Sequence, residues 1–525
     1  MTIIKQLGNM AELIEARAAE RGSEPFMLDA PSGAALSFQQ LKEETDKLRK
    51  NLEASGLQPG DKVSVYMPNG PLPAILLLAI MASGLQVNPI NLLSQPSQLV
   101  YVLSHSDTRL VFTCKEYLPS LAQALRQVER EVAVVVCEPD SMQVPVVPVA
   151  PAVAGVSASP AAPRVPSGVL SGQQIQADEP ALIMYTSGTT GVPKGVLLSH
   201  ANLLANASST SEAHQLGAQD RVMVSLPLYH INALVVALIT PLFHGGSLVM
   251  SPRFSARTFW ADVCQFRCTW INVVPTIIAY LLNDEAGTQG HDLSQLKFCR
   301  SASAALAPEH HRAFEARFGL GIIETMGLTE TAAPAFSNPL EASARRVGSV
   351  GRPTGTLAAI MGADGQFLAA GERGEIVLQG PNVMLGYYKD PVRTQESFTP
   401  DGWLRTGDVG YQDADGFFYV TGRSKELIIK GGENIAPREI DEAVLKHPKV
   451  LEAAAVGVPH PEYGQEIAVY LVMRDGAEFD AADMRRHCLA ELGNYKCPSR
   501  FVLMNELPRG PSGKLQRLRL LEPAA

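Results

Sequence analysis

The chain lacks a surplus of positive charge, a long apolar run and any cluster of cysteines. Its formal net charge is −9, which argues against nucleic acid as a partner. The longest apolar stretches, 71–87 and 233–242, fall short of a bilayer span, and the second contains Pro241. Both are therefore predicted to be buried helices, and we expect no membrane span.

Seven cysteines are scattered along the 525 residues, and only Cys264 and Cys268 lie close together. Neither has histidine or further cysteine neighbours at metal-site spacing. The pattern therefore predicts reduced thiols in a cytoplasmic protein. Residues 1–22 show no cleavable signal pattern and are predicted to form a short amphipathic helix, so export is not expected.

The composition, 46% hydrophobic and 18% charged, allows large cores and several subdomains. Helical and strand periodicities alternate in the first part of the chain. The predicted helices are 41–57, 71–82 and 98–104, and the predicted strands are 61–67, 86–90 and 110–113. This alternation predicts an α/β fold with a parallel sheet covered by helices on both faces.

Three later segments differ in composition. Residues 138–179 are rich in Val, Pro, Ala and Ser, which predicts a surface linker or long loop. Residues 346–410 contain short strands with Gly and Pro, which predicts a β-barrel-like subdomain. From 426 onward, strands 426–430, 450–459 and 466–473 and helices 437–446 and 481–491 predict a small α+β domain. We therefore expect a large domain over 1–423 and a small domain over 424–525.

Residues 185–195, YTSGTTGVPKG, predict a loop that wraps the phosphates of a nucleotide. The apolar stretches 181–184 and 196–198 predict that it joins two strands. A Walker loop would need a Gly-Lys-Ser/Thr end followed by a helix, so that interpretation fails. The alternative is a solvated turn. The expected phosphate-binding groups are the hydroxyls of Thr186, Ser187, Thr189 and Thr190, the backbone at Gly188, and the Lys194 ammonium.

Five further motifs follow in a recognisable order. They are PLYHINAL at 227–234, ETMGLTE at 324–330, GWLRTGD at 402–408, GRSKELIIKGGENIAPREIDE at 422–442 and PRGPSGKLQR at 508–517. With the phosphate loop, they make nearly the whole chain resemble the adenylate-forming superfamily of acyl-CoA synthetases, luciferases and peptide-synthetase adenylation domains. The stretches FWADVCQFRCTWINVVPTI and CRSASAALAP look most like small-acid ligases of the oxalyl-CoA synthetase type.

The resemblance implies an acid–CoA ligase that forms AMP. A carboxylic acid and ATP give an acyl-adenylate and pyrophosphate, and CoA then displaces AMP. In the family, a mobile C-terminal lid turns about a hinge, here Lys425, between the two half-reactions. The alternatives are acyl transfer to a carrier protein, oxidation as in luciferases, and a noncatalytic scaffold. The joint presence of Lys194, Glu330, Asp408, Arg423 and Lys514 argues against the scaffold.

The expected site residues follow from the resemblance, motif by motif. A carboxylate attacking a phosphate meets like-charge repulsion, so the site must gather positive charge. Lys514 is expected to bridge the substrate carboxylate and the α-phosphate, and Glu330 is the expected Mg²⁺ ligand. Asp408 and Arg423 are expected at the ribose, and Met326 replaces the aromatic residue that usually stacks on adenine. Other expected nucleotide contacts are Ala304, Thr325 and Thr329.

The second half-reaction needs a channel for the CoA thiol. The resemblance places Gly432, next to Gly431, beside the pantetheine once the small domain has rotated. Arg438, Lys496 and Arg500 are candidates for the CoA phosphates, although basic side chains on a small domain are usually solvated. The oligomeric state is expected to be a monomer or a homodimer.

The acyl pocket leaves two interpretations open. Its candidate lining residues are His230, Asn232, Val274, Ser301, Ser303, Ala304, Thr325 and Ala333, and His230 is also a catalytic candidate. Oxalate enzymes carry a histidine at the position of Ala333, so oxalate itself is not favoured. His230, Asn232, Arg300, Ser301 and Ser303 would suit a dicarboxylate or a sulfonated acetate. Val273, Val274, Ala304, Ala305 and Ala333 would instead line a tunnel for a fatty or aryl acid, with His230 as a gate. The small acid is preferred.

Overall fold

The computed structural model describes residues 7–147, 170, 175–187, 192–284, 290–423, 426–509 and 515–521. The predictions for Gly188, Thr189, Thr190, Lys425 and Lys514 lie outside these residues. So does most of the segment 138–179 that was predicted to be a linker.

Helices and strands alternate through the first part of the chain, as predicted. In order they are α1 Met10–Arg21, β1 Pro25–Asp29, β2 Ala35–Ser37, α2 Phe38–Ala54, β3 Lys62–Tyr66, α3 Pro71–Met81, β4 Gln86–Pro89, α4 Pro96–His105, β5 Thr108–Thr113, α5 Leu118–Leu125, β6 Ala133–Val136, β7 Pro180–Ser187 and β8 Pro193–Ser199. Helix α2 starts after Ser37 because the Ser37 hydroxyl and the Gln40 side chain cap each other's backbone N–H groups.

The middle of the chain continues the same alternation. Its elements are α6 His200–Ala213, β9 Arg221–Val224, a π-helix over Asn232–Ile239, α7 Thr240–His244, β10 Ser247–Met250, α8 Ala256–Gln265, β11 Trp270–Val273, α9 Pro275–Asn283, β12 Phe298–Ser301, α10 Pro308–Phe318, β13 Ile322–Leu328, β14 Ala333–Ser337 and β15 Arg352–Pro353. The helix α3 and the π-helix are buried along their whole lengths. This confirms both as buried helices.

The remaining elements form two smaller units. The first contains β16 Leu357–Met361, β17 Gly374–Gln379, α11 Pro391–Glu396, β19 Leu404–Gln412 and β20 Phe418–Arg423, whereas the intervening strand β18, Gly386–Tyr387, pairs with β8 of a large sheet. The second contains β21 Ile428–Lys430, β22 Glu433–Ile435, α12 Pro437–Leu445, β23 Val450–His460, β24 Gly464–Met473, α13 Ala481–Lys496 and β25 Arg500–Leu503. The second unit forms the separate C-terminal domain and has its own apolar clusters.

Four sheets organise the described residues. The two large ones run β15-β14-β13-β12-β11-β9-β10-β1-β2 and β18-β8-β7-β4-β3-β5-β6. A four-stranded antiparallel sheet, β16-β17-β19-β20, stands where the barrel-like subdomain was predicted, and the C-terminal domain has the order β22-β21-β24-β23 with β25 on β24. None of the helices in the described part of the chain combines the length and apolar character that a membrane span requires.

The strands β9, β11, β12 and β13 run parallel to one another. Their carboxyl ends therefore open at one edge of the sheet, where ligands of open α/β sheets bind. The antiparallel hairpin β7–β8 confirms the strand–loop–strand prediction for 181–198.

Candidate active site

Two adjoining cavities lie at this edge. The first cavity, of about 720 Å³, is lined mainly by residues from both large sheets and from the four-stranded sheet. Many residues of the C-terminal domain line the second, of about 370 Å³. They share Ser303, Gly327, Arg423 and Glu426 in their walls. The two cavities therefore form one composite site.

The hairpin brings two predicted phosphate ligands into the first cavity. Thr186 and Lys194 face each other in register across β7 and β8, and both line this cavity. The Lys194 ammonium lies 5.0 Å from the centre of the Tyr387 ring. A cation held at the mouth of a loop rich in hydroxyls is suited to bind phosphate.

Glu330 lies opposite, in the short 3₁₀ turn Thr329–Thr331, and lines the first cavity with Thr329. The Tyr387 hydroxyl donates a hydrogen bond of 2.9 Å to Oε1 of Glu330. Burial, and then the charge of Glu330, raise the pKa of Tyr387, so the phenol remains a donor. Tyr387 thus connects the predicted phosphate lysine with the predicted metal ligand, a role that its sequence position does not reveal.

The predicted nucleoside contacts meet in the second cavity. Ala304, Thr325, Met326 and Asp408 line it together with Arg423. Asp408 is opposite Arg423 in register between β19 and β20, and the Arg423 Nε donates to Asp408 Oδ1 at 2.9 Å. The charge of Asp408 raises the pKa of Arg423. The cavity therefore offers a largely buried carboxylate beside a guanidinium, as ribose binding requires.

Glu324 is a further residue of this cavity that the sequence did not single out. It is buried, and one carboxylate oxygen accepts a hydrogen bond from the Leu306 backbone N–H at 3.3 Å. The other oxygen has no partner among the described residues. Burial raises the pKa of Glu324 to about 7.

Strained backbone surrounds the first cavity. Ser303 has φ 74° and Ala333 has φ 102°, values that residues other than glycine rarely adopt. A Cβ on Gly327 would lie 1.9 Å from the Ala333 carbonyl oxygen, so glycine is required there. Packing therefore holds both predicted pocket residues in unusual conformations, as is common at functional sites.

The far wall of the first cavity contains a buried cation. Arg300 is 1% exposed, lines the cavity, and makes no ion pair with any described residue, and its Nε has no hydrogen-bond partner among them. Its Nη1 donates to Oδ1 of Asn232 and Oδ1 of Asn272, both at 2.7 Å. Burial alone lowers the pKa of Arg300 to about 9, so it stays charged at neutral pH.

Most of the other predicted acyl-pocket residues share this cavity with Arg300. His230, Asn232, Val274, Ser303 and Ala333 all line the first cavity. Asn232 donates to the Ser303 hydroxyl at 3.3 Å. Ser301 is fully buried and lines neither cavity, so the prediction that it contacts the acid is not supported.

The predicted CoA ligands do not cluster in one cavity. Gly431 and Gly432 form the turn between β21 and β22, with φ 55° and 86°, and line neither cavity. Lys496 pairs with Glu439 at 2.6 Å, and Arg500 is exposed on β25. Arg438 lines the second cavity, where its Nη1 donates to the Val420 carbonyl at 2.9 Å and its Nη2 to the Gly348 carbonyl at 3.4 Å. These sites remain predictions.

The residues that flank the Lys514 segment lie at the second cavity. Arg509 and Leu515 both line it and pair with each other. Arg517 is held by Asp441, with Nη2 to Oδ2 at 2.6 Å, and its Nε lies 3.6 Å from Glu426. Described residues on both sides of Lys514 are thus anchored at the second cavity.

Comparison with known proteins agrees with this arrangement. Residues 14–388 match the model of the AMP-binding enzyme family, and residues 439–514 match that of the AMP-binding enzyme C-terminal domain. The chain is 59% identical over 515 residues to a sulfoacetate–CoA ligase of Cupriavidus necator, covering 98% of each chain. It is 34% identical over 469 residues to an oxalate–CoA ligase of Arabidopsis thaliana, covering 88% of each.

Solved structures agree on the fold. ATP-bound MatB from Rhodopseudomonas palustris superposes with a TM-score of 0.83 at 29% identity, covering 98% of both chains. An anthranilate CoA ligase in complex with anthranoyl-AMP superposes with a TM-score of 0.86 at 24% identity, covering 98% of this chain and 96% of the other. With a family match over most of its length and a composite site of this kind, the chain belongs to the AMP-binding enzyme family and is an AMP-forming acid–CoA ligase.

Proposed function

We propose that the acid is short and carries a second anionic group, with sulfoacetate as the leading candidate. The observation that carries this proposal is Arg300, a buried guanidinium that faces the first cavity without a carboxylate partner among the described residues. Burial of an unpaired cation costs on the order of several kcal/mol. A sulfonate or a second carboxylate in the cavity would offset that cost and would form a charge-assisted hydrogen bond.

A close relative supports the same assignment. The protein that is 59% identical over nearly the whole chain is a sulfoacetate–CoA ligase. The absence of a histidine at Ala333 argues against oxalate. A fatty or aryl acid would leave Arg300 buried and unpaired, although apolar side chains such as Val274 and Ile277 also line the first cavity.

In the first half-reaction, the acid carboxylate attacks the α-phosphate of ATP and pyrophosphate leaves. Thr186 and Lys194 bind the leaving phosphates, and Asp408 and Arg423 bind the ribose hydroxyls. Lys514 bridges the carboxylate and the α-phosphate, which reduces the repulsion between two anions as they approach. His230 orients the acid at the cavity entrance.

Glu330 is the proposed Mg²⁺ ligand, and its surroundings fit that ion. Mg²⁺ binds through one or two carboxylates and keeps waters and phosphates as its other ligands. Within the described residues there is no group of three His, Cys, Asp or Glu side chains that would form an all-protein metal cage. When bound, Mg²⁺ would neutralise phosphate charge, while Tyr387 holds the Glu330 carboxylate in place.

In the second half-reaction, CoA displaces AMP after the small domain turns about Lys425, with the boundary between residues 423 and 424. Gly431 and Gly432 would then lie beside the pantetheine, and Arg438, Lys496 and Arg500 near the CoA phosphates.

A cytoplasmic location is supported by the seven cysteines, none of which forms a disulfide. A monomer or homodimer remains the proposed assembly.

The proposal is tested by measuring pyrophosphate release with a panel of acids, each with CoA present. The panel holds sulfoacetate, malonate, succinate, oxalate, propionate, benzoate and decanoate. We expect kcat/KM to be highest for sulfoacetate, and at least about 100-fold above propionate because a buried charge pair is gained. A highest value for decanoate or benzoate would contradict the proposal. Free acyl-CoA among the products excludes obligatory transfer to a carrier protein.

A further inference from the structure

Both side chains that hold Arg300 are neutral. The Arg300 Nη1 donates to the amide oxygens of Asn232 and Asn272, each at 2.7 Å. Each asparagine therefore fixes the position of the guanidinium without cancelling its charge. A carboxylate in either place would accept the same hydrogen bond and neutralise the cation.

Asn272 differs from Asn232 in where it lies. Asn232 lines the first cavity and bonds to Ser303, so it is placed to touch the acid directly. Asn272 is 1% exposed and does not line the first cavity. It can act on the acid only through Arg300 and through Asn232, whose Oδ1 lies 3.4 Å from the Asn272 Nδ2.

The sheet fixes the position of Asn272 firmly. Asn272 on β11 is the register partner of Arg300 on β12, and Trp270 is the partner of Phe298 two residues earlier. The rings of Trp270 and Phe298 stack at 5.6 Å on the same face. The amide oxygen of Asn272 is thus presented to the guanidinium by two buried central strands.

We propose that Asn272 is a specificity-determining positioning residue, which holds Arg300 while leaving its positive charge available to the acid. This inference rests on the proposed function, because it assumes that the acid carries a second anion. A neutral partner is the only kind that keeps the guanidinium both fixed and uncompensated. The identity of residue 272 then decides whether the pocket selects for charge on the distal group.

The test uses two acids of similar shape that differ in charge. Sulfoacetate carries a sulfonate, and methylsulfonylacetate carries a neutral sulfone in the same position. Pyrophosphate release with each acid is measured for the parent and for Asn272→Asp. The substitution keeps the side-chain shape and the hydrogen bond to Nη1, but it adds a negative charge next to Arg300.

We expect kcat/KM for sulfoacetate to fall about 100-fold or more in Asn272→Asp, since the substrate anion would meet a neutralised pair. The value for methylsulfonylacetate should change by less than about threefold, because that acid does not use the charge. The ratio of kcat/KM for sulfoacetate to that for methylsulfonylacetate should therefore fall sharply in Asn272→Asp. An Asn272→Asp enzyme that keeps the parental selectivity would overturn the inference and leave the proposed function standing.

Two further variants complete the design. Asn88→Asp places a carboxylate at another buried asparagine, on β4 of the other large sheet, outside both cavities. It should keep the parental selectivity. Asn272→Leu removes the hydrogen bond without adding charge and should lower kcat/KM for sulfoacetate more than for methylsulfonylacetate, because only sulfoacetate uses the Arg300 charge, so the preference for sulfoacetate weakens. Should Asn272→Asp not fold, an Asn272→Leu enzyme with the parental kcat/KM for sulfoacetate overturns the inference instead. A parent enzyme without the preference overturns both the inference and the proposed function.

Discussion

At the scale of single residues, two buried charges define the two ends of the site. Arg300 faces the first cavity and Glu324 the second, on the neighbouring parallel strands β12 and β13. Neither forms an ion pair within the described residues, and burial shifts the pKa of each toward its neutral form. Such perturbed groups cluster where a protein binds charged or polar ligands.

Glu324 should make stability depend on pH. Burial raises its pKa to about 7 from 4.5, with smaller opposing effects from the Arg438 charge and the Leu306 hydrogen bond. A raised folded-state pKa contributes stability that is complete below pH 4.5 and is lost as pH rises through about 7. Glu324→Gln should therefore gain in Tm relative to the parent between about pH 5 and pH 8.

Thermal unfolding over that pH range, without ligands, measures the effect. Glu341→Gln, at an exposed carboxylate, serves as the matched control and should follow the parent at every pH. Parallel Tm profiles for Glu324→Gln and the parent would show that the Glu324 pKa is not raised.

The sequence identified residues whose chemistry is carried by a local motif. Thr186, Lys194, Glu330, Asp408 and Arg423 all line the composite site, and their roles in it remain predictions. Tyr387, Glu324 and Asn272 were missed for one physical reason. Their partners Glu330, Leu306 and Arg300 lie 57, 18 and 28 residues away along the chain, and only the folded structure brings them together.

At the scale of elements, periodicity located the helices and strands to within a few residues. The predicted helices 41–57, 71–82 and 437–446 correspond to α2, α3 and α12. The π-helix over Asn232–Ile239 was predicted only as a buried helix, since α- and π-helices share the same composition. The two-residue strand β18, which carries Tyr387, is too short to produce a periodic signal.

Helix α12 makes a contact that bears on the choice between the half-reactions. Arg438, in its first turn, donates to the Val420 and Gly348 carbonyls, which belong to the preceding domain. This contact holds the C-terminal domain in the orientation seen here. We expect Arg438→Ala to slow pyrophosphate release about tenfold, because charged hydrogen bonds to carbonyls are lost.

The control is Lys496→Ala, since Lys496 pairs only with Glu439 of its own domain among the described residues. It should leave pyrophosphate release unchanged when a single turnover is measured without CoA. If Arg438→Ala raises only the KM for CoA, the residue acts as a CoA ligand and does not hold the C-terminal domain in its orientation.

At the scale of the whole molecule, the large part and the C-terminal domain meet around the second cavity. The sequence predicted the separate C-terminal domain because a second set of strand and helix patterns begins after residue 425. Sequence alone could not identify which residues of the two parts touch. Contacts such as Arg438 with Gly348 join positions that are 90 residues apart.

Domain alternation makes a prediction about Lys514. Its flanking residues Arg509 and Leu515 line the second cavity in the orientation seen here. Lys514→Ala should abolish acyl-adenylate formation, while thioester formation from supplied acyl-adenylate largely survives. Both half-reactions are measured separately, by pyrophosphate release and by acyl-CoA formation. Equal loss of the two would contradict a role confined to the first step.

The central claim is that the Arg300 charge recognises a second anion on the acid. Its most direct test is the ratio of kcat/KM for sulfoacetate to that for methylsulfonylacetate, measured in the parent and in Arg300→Met, which has a neutral side chain of similar length. We expect a ratio of about 100 or more in the parent and a ratio near one in Arg300→Met. A ratio that is the same in both enzymes would contradict it.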